Sequence, residues 1–140
     1  VVPIDRWSRI SEKALSFALS MSCDIRCVHV QTVDGPDSFC DAWDKDIVAP
    51  LKAAGRCIPK LITVQSPYRY IVTPIVDYAL AVERESATCK VCVLIPELVV
   101  QHWWEGMLHN RRSDLLKVML LMRGNRRIVV INIPWYLENT

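Results

Sequence analysis

Five short runs of strand-forming residues alternate with stretches of helical spacing, which predicts an α/β fold with one doubly wound, five-stranded, mainly parallel sheet and helices on both faces. Three observations carry this prediction. The apolar pattern switches repeatedly between strand-like runs and the spacing of about 3.6 residues that marks an amphipathic helix. The fourth run, Lys90 to Ile95, is almost continuously apolar, as expected of a parallel strand covered on both faces. No repeat, linker or low-complexity tract interrupts the alternation, so residues 1–140 form a single domain.

The elements follow in order. Val1 to Ile4 makes a short first strand, and Ser8 caps a helix through Ser22 whose apolar side carries Ile10, Ala14, Leu15, Phe17, Ala18, Leu19 and Met21. Ile25 to Thr32 is a second strand. The Asp34-Gly35-Pro36-Asp37 turn precedes a second helix from Ser38 to Ala53, and Gly55 ends it. Lys60 to Gln65 is a third strand, and Tyr70 to Glu85 a third helix with Ile71, Ile75, Val76, Tyr78, Ala79 and Val82 on one face. The fourth strand breaks at Pro96. A short helix around Val99 to Leu108 then gives way at His109-Asn110 to another through Met122, which Gly124-Asn125 closes before a fifth strand from Arg127 to Pro134.

Composition narrows the function classes. With 51% hydrophobic and 23% charged residues, the chain can bury a sizeable core and is not a disordered segment. Its longest strongly apolar run, Leu115 to Met122, is broken by Lys117 and is far short of the roughly 20 residues needed to span a bilayer. The chain opens on Val1-Val2-Pro3 without an initiator methionine, as expected of a piece of a longer protein. A net charge of +2 gives no basis for nucleic-acid binding. A basic cluster does stand out in the last third: His109, Arg111, Arg112, Lys117, Arg123, Arg126 and Arg127, with Asp114 the one acid among them. It reads as a solvated helix face with a basic helix end, or as a contact for phosphate or acidic lipid.

Six cysteines are expected to be buried free thiols, since nothing in the chain signals secretion. Cys89 and Cys92 have the spacing of a zinc or redox pair. They enter a strand, however, where residues three apart face opposite ways, so no metal site is expected.

In a doubly wound sheet, ligands bind beyond the carboxyl ends of the strands. Those ends supply Asp5, Arg6 and Trp7, then Gln31 and Thr32, then Ser66 to Arg69, then Pro96 and Glu97. Asp5 can accept a hydrogen bond from a ribose hydroxyl or adenine amine, or cap the following helix. Arg69 can bind a phosphate bidentately on a loop held by Pro67 and Tyr68, or form a salt bridge to Asp77 or Glu97. Glu97 and Glu105 have no nucleophile or oxyanion site beside them, so no catalysis is expected.

These residues resemble a family. The opening Val-Val-Pro-Ile-Asp, the long helix and a second strand ending in His29-Val30 resemble the universal stress protein fold. The match is closer to the cytoplasmic C-terminal domain of bacterial permeases in the amino acid, polyamine and organocation superfamily. Ser66 to Arg69, Ile95 to Glu97, Trp103-Trp104, Leu108 to Asn110 and Pro134 to Leu137 carry that resemblance. It implies a universal stress protein-like, Rossmann-like domain on the cytoplasmic face of the cell membrane, regulating or oligomerising a permease for amino acids or potassium. The implied partner is the transmembrane part of the same polypeptide, with the excised domain soluble. The implied nucleotide-binding residues are Asp5, Arg6, Val30, Thr32, Ser66, Arg69 and Glu97.

ATP-binding stress proteins follow their fourth strand with a glycine-rich phosphate cradle, whereas this chain has only Gly106 there. That departure argues against ordinary ATP binding. Some potassium-importing relatives in the superfamily are inhibited by cyclic di-AMP through a domain of this kind. The resemblance therefore implies cyclic di-AMP or another adenine nucleotide as ligand, with no required cofactor. The alternatives are a soluble stress-type ATP-binding protein and a purely structural dimerisation domain.

An interface is expected at Trp103 and Trp104, adjacent aromatics of an amphipathic helix, and along the last strand at Ile128 and Val130 with Trp135 and Tyr136 as anchors. An exposed apolar edge strand invites pairing with a second copy, which predicts a homodimer.

Overall fold

The computed structural model describes residues 1–4, 8–32, 39–66, 71–99 and 111–136. They divide into two compact units, Val1–Ile71 and Val72–Thr140.

In the first unit, β1 (Val2–Pro3), β2 (Arg26–Thr32) and β3 (Lys60–Ser66) form a parallel sheet in the order β1-β2-β3. Between β1 and β2 lies α1 (Arg9–Met21). Its N-cap is Ser8, as the sequence predicts: the Ser8 hydroxyl accepts from the Ser11 backbone N–H at 3.4 Å, satisfying one of the orphan donors of the first turn. Ala14, Leu15 and Ala18 are buried from this helix, and Val2, Ile4, Ile25, Cys27, Val28 and Val30 from the strands. Small residues at helical spacing on α1 let a helix axis approach a sheet closely.

The crossover from β2 to β3 is not the single regular helix expected over Ser38 to Ala53. It runs as α2 (Phe39–Trp43), a π-helical turn (Asp44–Val48) and α3 (Ala49–Ala53). Pro50 explains the widening. It has no N–H to donate and its ring crowds the carbonyl four residues back, and just before it the Ala49 N–H bonds five residues back to the Asp44 carbonyl. Gly55, at φ +66°, then ends the helix, with Arg56 N–H donating to the Leu51 carbonyl at 3.0 Å.

The second unit holds α4 (Val72–Glu85), β4 (Val91–Val99), α5 (Arg111–Arg123) and β5 (Ile128–Tyr136). β4 and β5 pair in parallel from Val91↔Ile128 to Val99↔Tyr136. Val76, Ala79, Leu80, Val93, Leu94, Ile95, Leu116, Leu120 and Ile133 are buried. At the α5–β5 junction a Cβ on Gly124 would run into the Leu120 carbonyl oxygen, so only glycine fits there without adjustment. Beside that junction Glu83, 5% exposed, accepts from Asn125 Nδ2 at 2.8 Å and pairs with Arg127, whose guanidinium also donates to the Ser86 carbonyl.

Three further expectations are corrected. The strands form two parallel sheets, of three and two strands, where one of five was expected. β1 is only two residues long and one of them is Pro3, which brings no N–H to a ladder.

The fourth strand does not break at Pro96. β4 continues to Val99, and β5 likewise passes through Pro134 to Tyr136. Each strand of a two-stranded ladder has an edge without a neighbour, and a proline whose missing N–H faces that edge takes no bond from the pairing. Val99 is therefore strand, and the rest of the helix expected through Leu108 lies outside the described residues.

The cysteines are the third correction. Cys23 and Cys57 form a disulfide, with Cα atoms 5.4 Å apart. Cys27, Cys40, Cys89 and Cys92 remain thiols, but only Cys27 is buried. Burial pushes the Cys27 thiol up to about 12, against a small opposing pull from the N-terminal charge.

Candidate functional site at the carboxyl ends of the strands

All three strands of the first sheet run the same way, so their carboxyl ends form one rim. Register sets which residues meet there: Thr32 is the Cα partner of Ser66, and Val30 of Val64. Residues two apart on a strand share a face, so Val30 and Ser66 lie on one face of the β2–β3 pair. Both are buried. The fold thus brings together Val30, Thr32 and Ser66. Ser66 adds a hydroxyl that can donate to a phosphate oxygen, or donate to or accept from a ribose hydroxyl.

The opposite face carries residues that the strand-end rule did not select. His29 and Thr63 are register partners. The buried His29 ring stacks on Phe39 with centroids 4.3 Å apart and a 16° interplanar angle, while its Nδ1 lies 3.1 Å from the Ile4 carbonyl. Phe39 also meets Trp43 at 6.0 Å, and Cys40 Sγ lies 3.8 Å from Thr63 Oγ1. His29 thereby ties the end of β1 to the start of α2, and the first turn of α2 covers this face. One signal in the sequence pointed to it. A histidine inside the Cys27-Val28-His29-Val30 run has to find a polar partner when buried.

In the second unit Glu97 accepts from Lys117 Nζ at 3.2 Å, and Lys117 also reaches Asp114 at 3.2 Å. Burial alone pulls the Lys117 pKa down, but its hydrogen bonds and attraction to Glu97 and Asp114 outweigh that and leave it above the ordinary lysine value. Asp77 binds Arg123 at 2.8 Å. Both acids considered as salt-bridge partners for Arg69 therefore have basic partners in their own unit. The basic cluster of the last third is likewise partly neutralised, since Lys117, Arg123 and Arg127 each pair with an acid. Arg112 and Arg126 are exposed.

Asp5, Arg6, Arg69, Trp103 and Trp104 lie outside the described residues. Of the expected interface along the last strand, Ile128 and Val130 are half-buried, Tyr136 is exposed, and the Trp135 backbone belongs to β5. β5 has β4 as its neighbour on one side only among the described residues. No group of three or more metal-ligating side chains occurs among the described residues. No described helix is long and apolar enough to cross a membrane.

Residues 1–135 match the family described as the KimA potassium transporter C-terminal domain. The chain is also 26% identical over 140 residues to the potassium transporter KimA of Bacillus subtilis (strain 168). That match takes in 99% of this chain and 21% of the relative, so the chain spans about a fifth of the length of the transporter it resembles.

Proposed function

Since the chain belongs to the family of KimA potassium transporter C-terminal domains, we propose that it is the cytoplasmic regulatory domain of a potassium transporter and senses an adenine nucleotide of the cyclic di-AMP type. The match over residues 1–135 carries the potassium-transporter part of this reading. It favours potassium over amino acids as the transported solute, and a transmembrane part of the same polypeptide as the domain's partner. A universal stress protein-like fold within the amino acid, polyamine and organocation superfamily belongs to the same proposal.

The site supports binding in preference to catalysis. Thr32 and Ser66 stand side by side at the carboxyl ends of parallel strands, where α/β sheets take their ligands. Arg69, three residues past Ser66, supplies a guanidinium for phosphate, and Asp5 and Arg6 follow β1. A cyclic dinucleotide brings two bridging phosphodiesters and no triphosphate tail. It therefore suits a chain with a single glycine, Gly106, between the fourth strand and the last helix. Bound there, it biases the transporter only to the extent that it binds one state of the domain more tightly than the other.

Titration calorimetry of the 140-residue chain with cyclic di-AMP, ATP and AMP tests the reading. The expected result is binding of the cyclic dinucleotide that Arg69→Ala weakens. Silence with all three nucleotides refutes nucleotide sensing and leaves the structural role.

A second role follows from β5. Its side away from β4 has no neighbour among the described residues, and Val129 and Tyr136 of this strand are exposed. We propose that a second copy pairs there, making the domain a homodimer. A monomer in sedimentation at high concentration overturns that.

A further inference from the structure

α5 is apolar on two sides. Leu116 and Leu120 are buried, yet Leu115, Val118, Leu121 and Met122 are 51%, 49%, 74% and 80% exposed. Leu115, Val118 and Met122 recur at i, i+3 and i+7, one stripe along the helix, with Leu121 beside it. Surface apolar residues scattered singly need no explanation, but four on one 13-residue helix form a patch with a use.

The charges around the stripe indicate what covers it. Arg112 is exposed one turn before Leu115, and Arg123 and Arg126 follow Met122. Between residues 111 and 127 the sequence holds six basic side chains and one acid, Asp114, a formal charge of 6 − 1 = +5. Asp77, Glu83 and Glu97 offset three of the six basic side chains within the unit. Arg112 and Arg126 have no acidic partner among the described residues. An apolar stripe bracketed by arginines is the pattern of a helix lying in a bilayer interface, with apolar side chains in the acyl boundary and cations at anionic headgroups. Two copies meeting through this face would set arginine against arginine. The family places the chain in a membrane transporter, so a bilayer surface is within reach of it.

We propose that the outer face of α5, through Leu115, Val118, Leu121 and Met122 with Arg112 and Arg126, docks on an anionic lipid surface. This inference rests on membership of a transporter domain family and is independent of any nucleotide.

Flotation of the 140-residue chain with phosphatidylcholine vesicles, with and without phosphatidylglycerol, tests it. The chain is expected to float with the anionic vesicles at low salt and to dissociate as salt rises. Leu121→Glu with Met122→Glu reduces partitioning at least about tenfold, because each buried methylene contributes roughly fourfold in affinity. Arg112→Glu and Arg126→Glu each reduce it by about fivefold or more at low salt. All four positions are exposed, so the circular dichroism and melting temperature of the variants stay those of the parent. Leu121→Gln serves as a milder replacement should the glutamates disturb folding.

Absence of binding to either vesicle overturns the proposal, as does full retention by both sets of variants. Loss of self-association in the Leu121→Glu, Met122→Glu chain, with no vesicle binding by the parent, also overturns it and makes the face a contact between chains. Calorimetry with nucleotides is unaffected by any of these outcomes, so failure here is distinct from failure of the nucleotide reading.

Discussion

Reduction of the Cys23–Cys57 disulfide is expected to destabilise the β1–β2–β3 unit by about 4 kcal/mol. The bond joins residues 34 apart in sequence. For a loop of that length the chain-entropy relation gives about 12–13 cal/mol/K, or about 4 kcal/mol at 25 °C, by constraining the unfolded chain. The bond follows the strand pairing. β2 and β3 pair with an offset of 34, Arg26 to Lys60, and Cys23 and Cys57 lie three residues upstream on each side with the same offset. Urea unfolding of the oxidised chain, the dithiothreitol-reduced chain and a Cys23→Ser, Cys57→Ser variant measures the effect. With a slope of about 2 kcal/mol/M the midpoint falls by about 2 M on reduction, and the double variant matches the reduced chain. Amide exchange localises the loss: β2 and β3 amides speed up on reduction while those of β4 and β5 do not. A midpoint that moves by less than a quarter of the expected shift refutes the argument, as does a non-reducing peptide map without a Cys23–Cys57 cross-link.

Two further outcomes follow from buried polar groups. Arg127→Ala leaves Glu83 buried with Asn125 as its partner and costs about 2–3 kcal/mol in urea unfolding, below the roughly 3–5 kcal/mol of a fully buried pair because about a third of Arg127 is solvated; adding Glu83→Gln recovers part of the loss, and no recovery would count against the pairing. Cys27, held near 12 in the folded chain against an ordinary value of 9.0, resists alkylation that reaches the exposed Cys40 and Cys89. Between those two values the unfolded chain binds fewer protons than the folded one, so stability falls as pH rises from about 9 towards 12. Cys27→Ala removes that part of the slope, and an unchanged alkaline profile in this variant would refute it.

Where local chemistry decided an element, the sequence was enough. Ser8 marked the start of α1, the β-type run to Thr32 marked β2, Gly55 marked the end of the second crossover helix, and Gly124-Asn125 the turn into β5. Where pairing decided it, the sequence misled. Pro96 and Pro134 read as strand ends because proline breaks a central ladder, but each lies in a strand with an edge that lacks a neighbour among the described residues. The disulfide was hidden for a related reason. Cys23 and Cys57 are meaningful only once the 34-residue offset of β2 and β3 is known, and that offset is a property of register. Part of the candidate site was legible through the strand-end rule, which selected Thr32 and Ser66 before their register showed them to be partners. His29 and Phe39 escaped it, because a rule about carboxyl ends is silent on a ring that stacks across from the start of the next helix.

The parallel ladder also separates the two chemical features of the first unit. Its disulfide lies upstream of the amino ends of β2 and β3, while Thr32 and Ser66 lie at their carboxyl ends, six strand steps or about 20 Å beyond Arg26 and Lys60. A ligand at the rim would therefore lie away from the cross-link. Reducing compartments oppose disulfides, so in the cytoplasmic orientation proposed for this domain the bond has to persist against the thiol pool. Its alignment with the ladder supplies one reason that it can. With the bond open, the ladder hydrogen bonds between Arg26–Thr32 and Lys60–Ser66 are what would hold the two thiols near each other for reclosure. That proximity raises the effective concentration of one thiol at the other and favours the closed form.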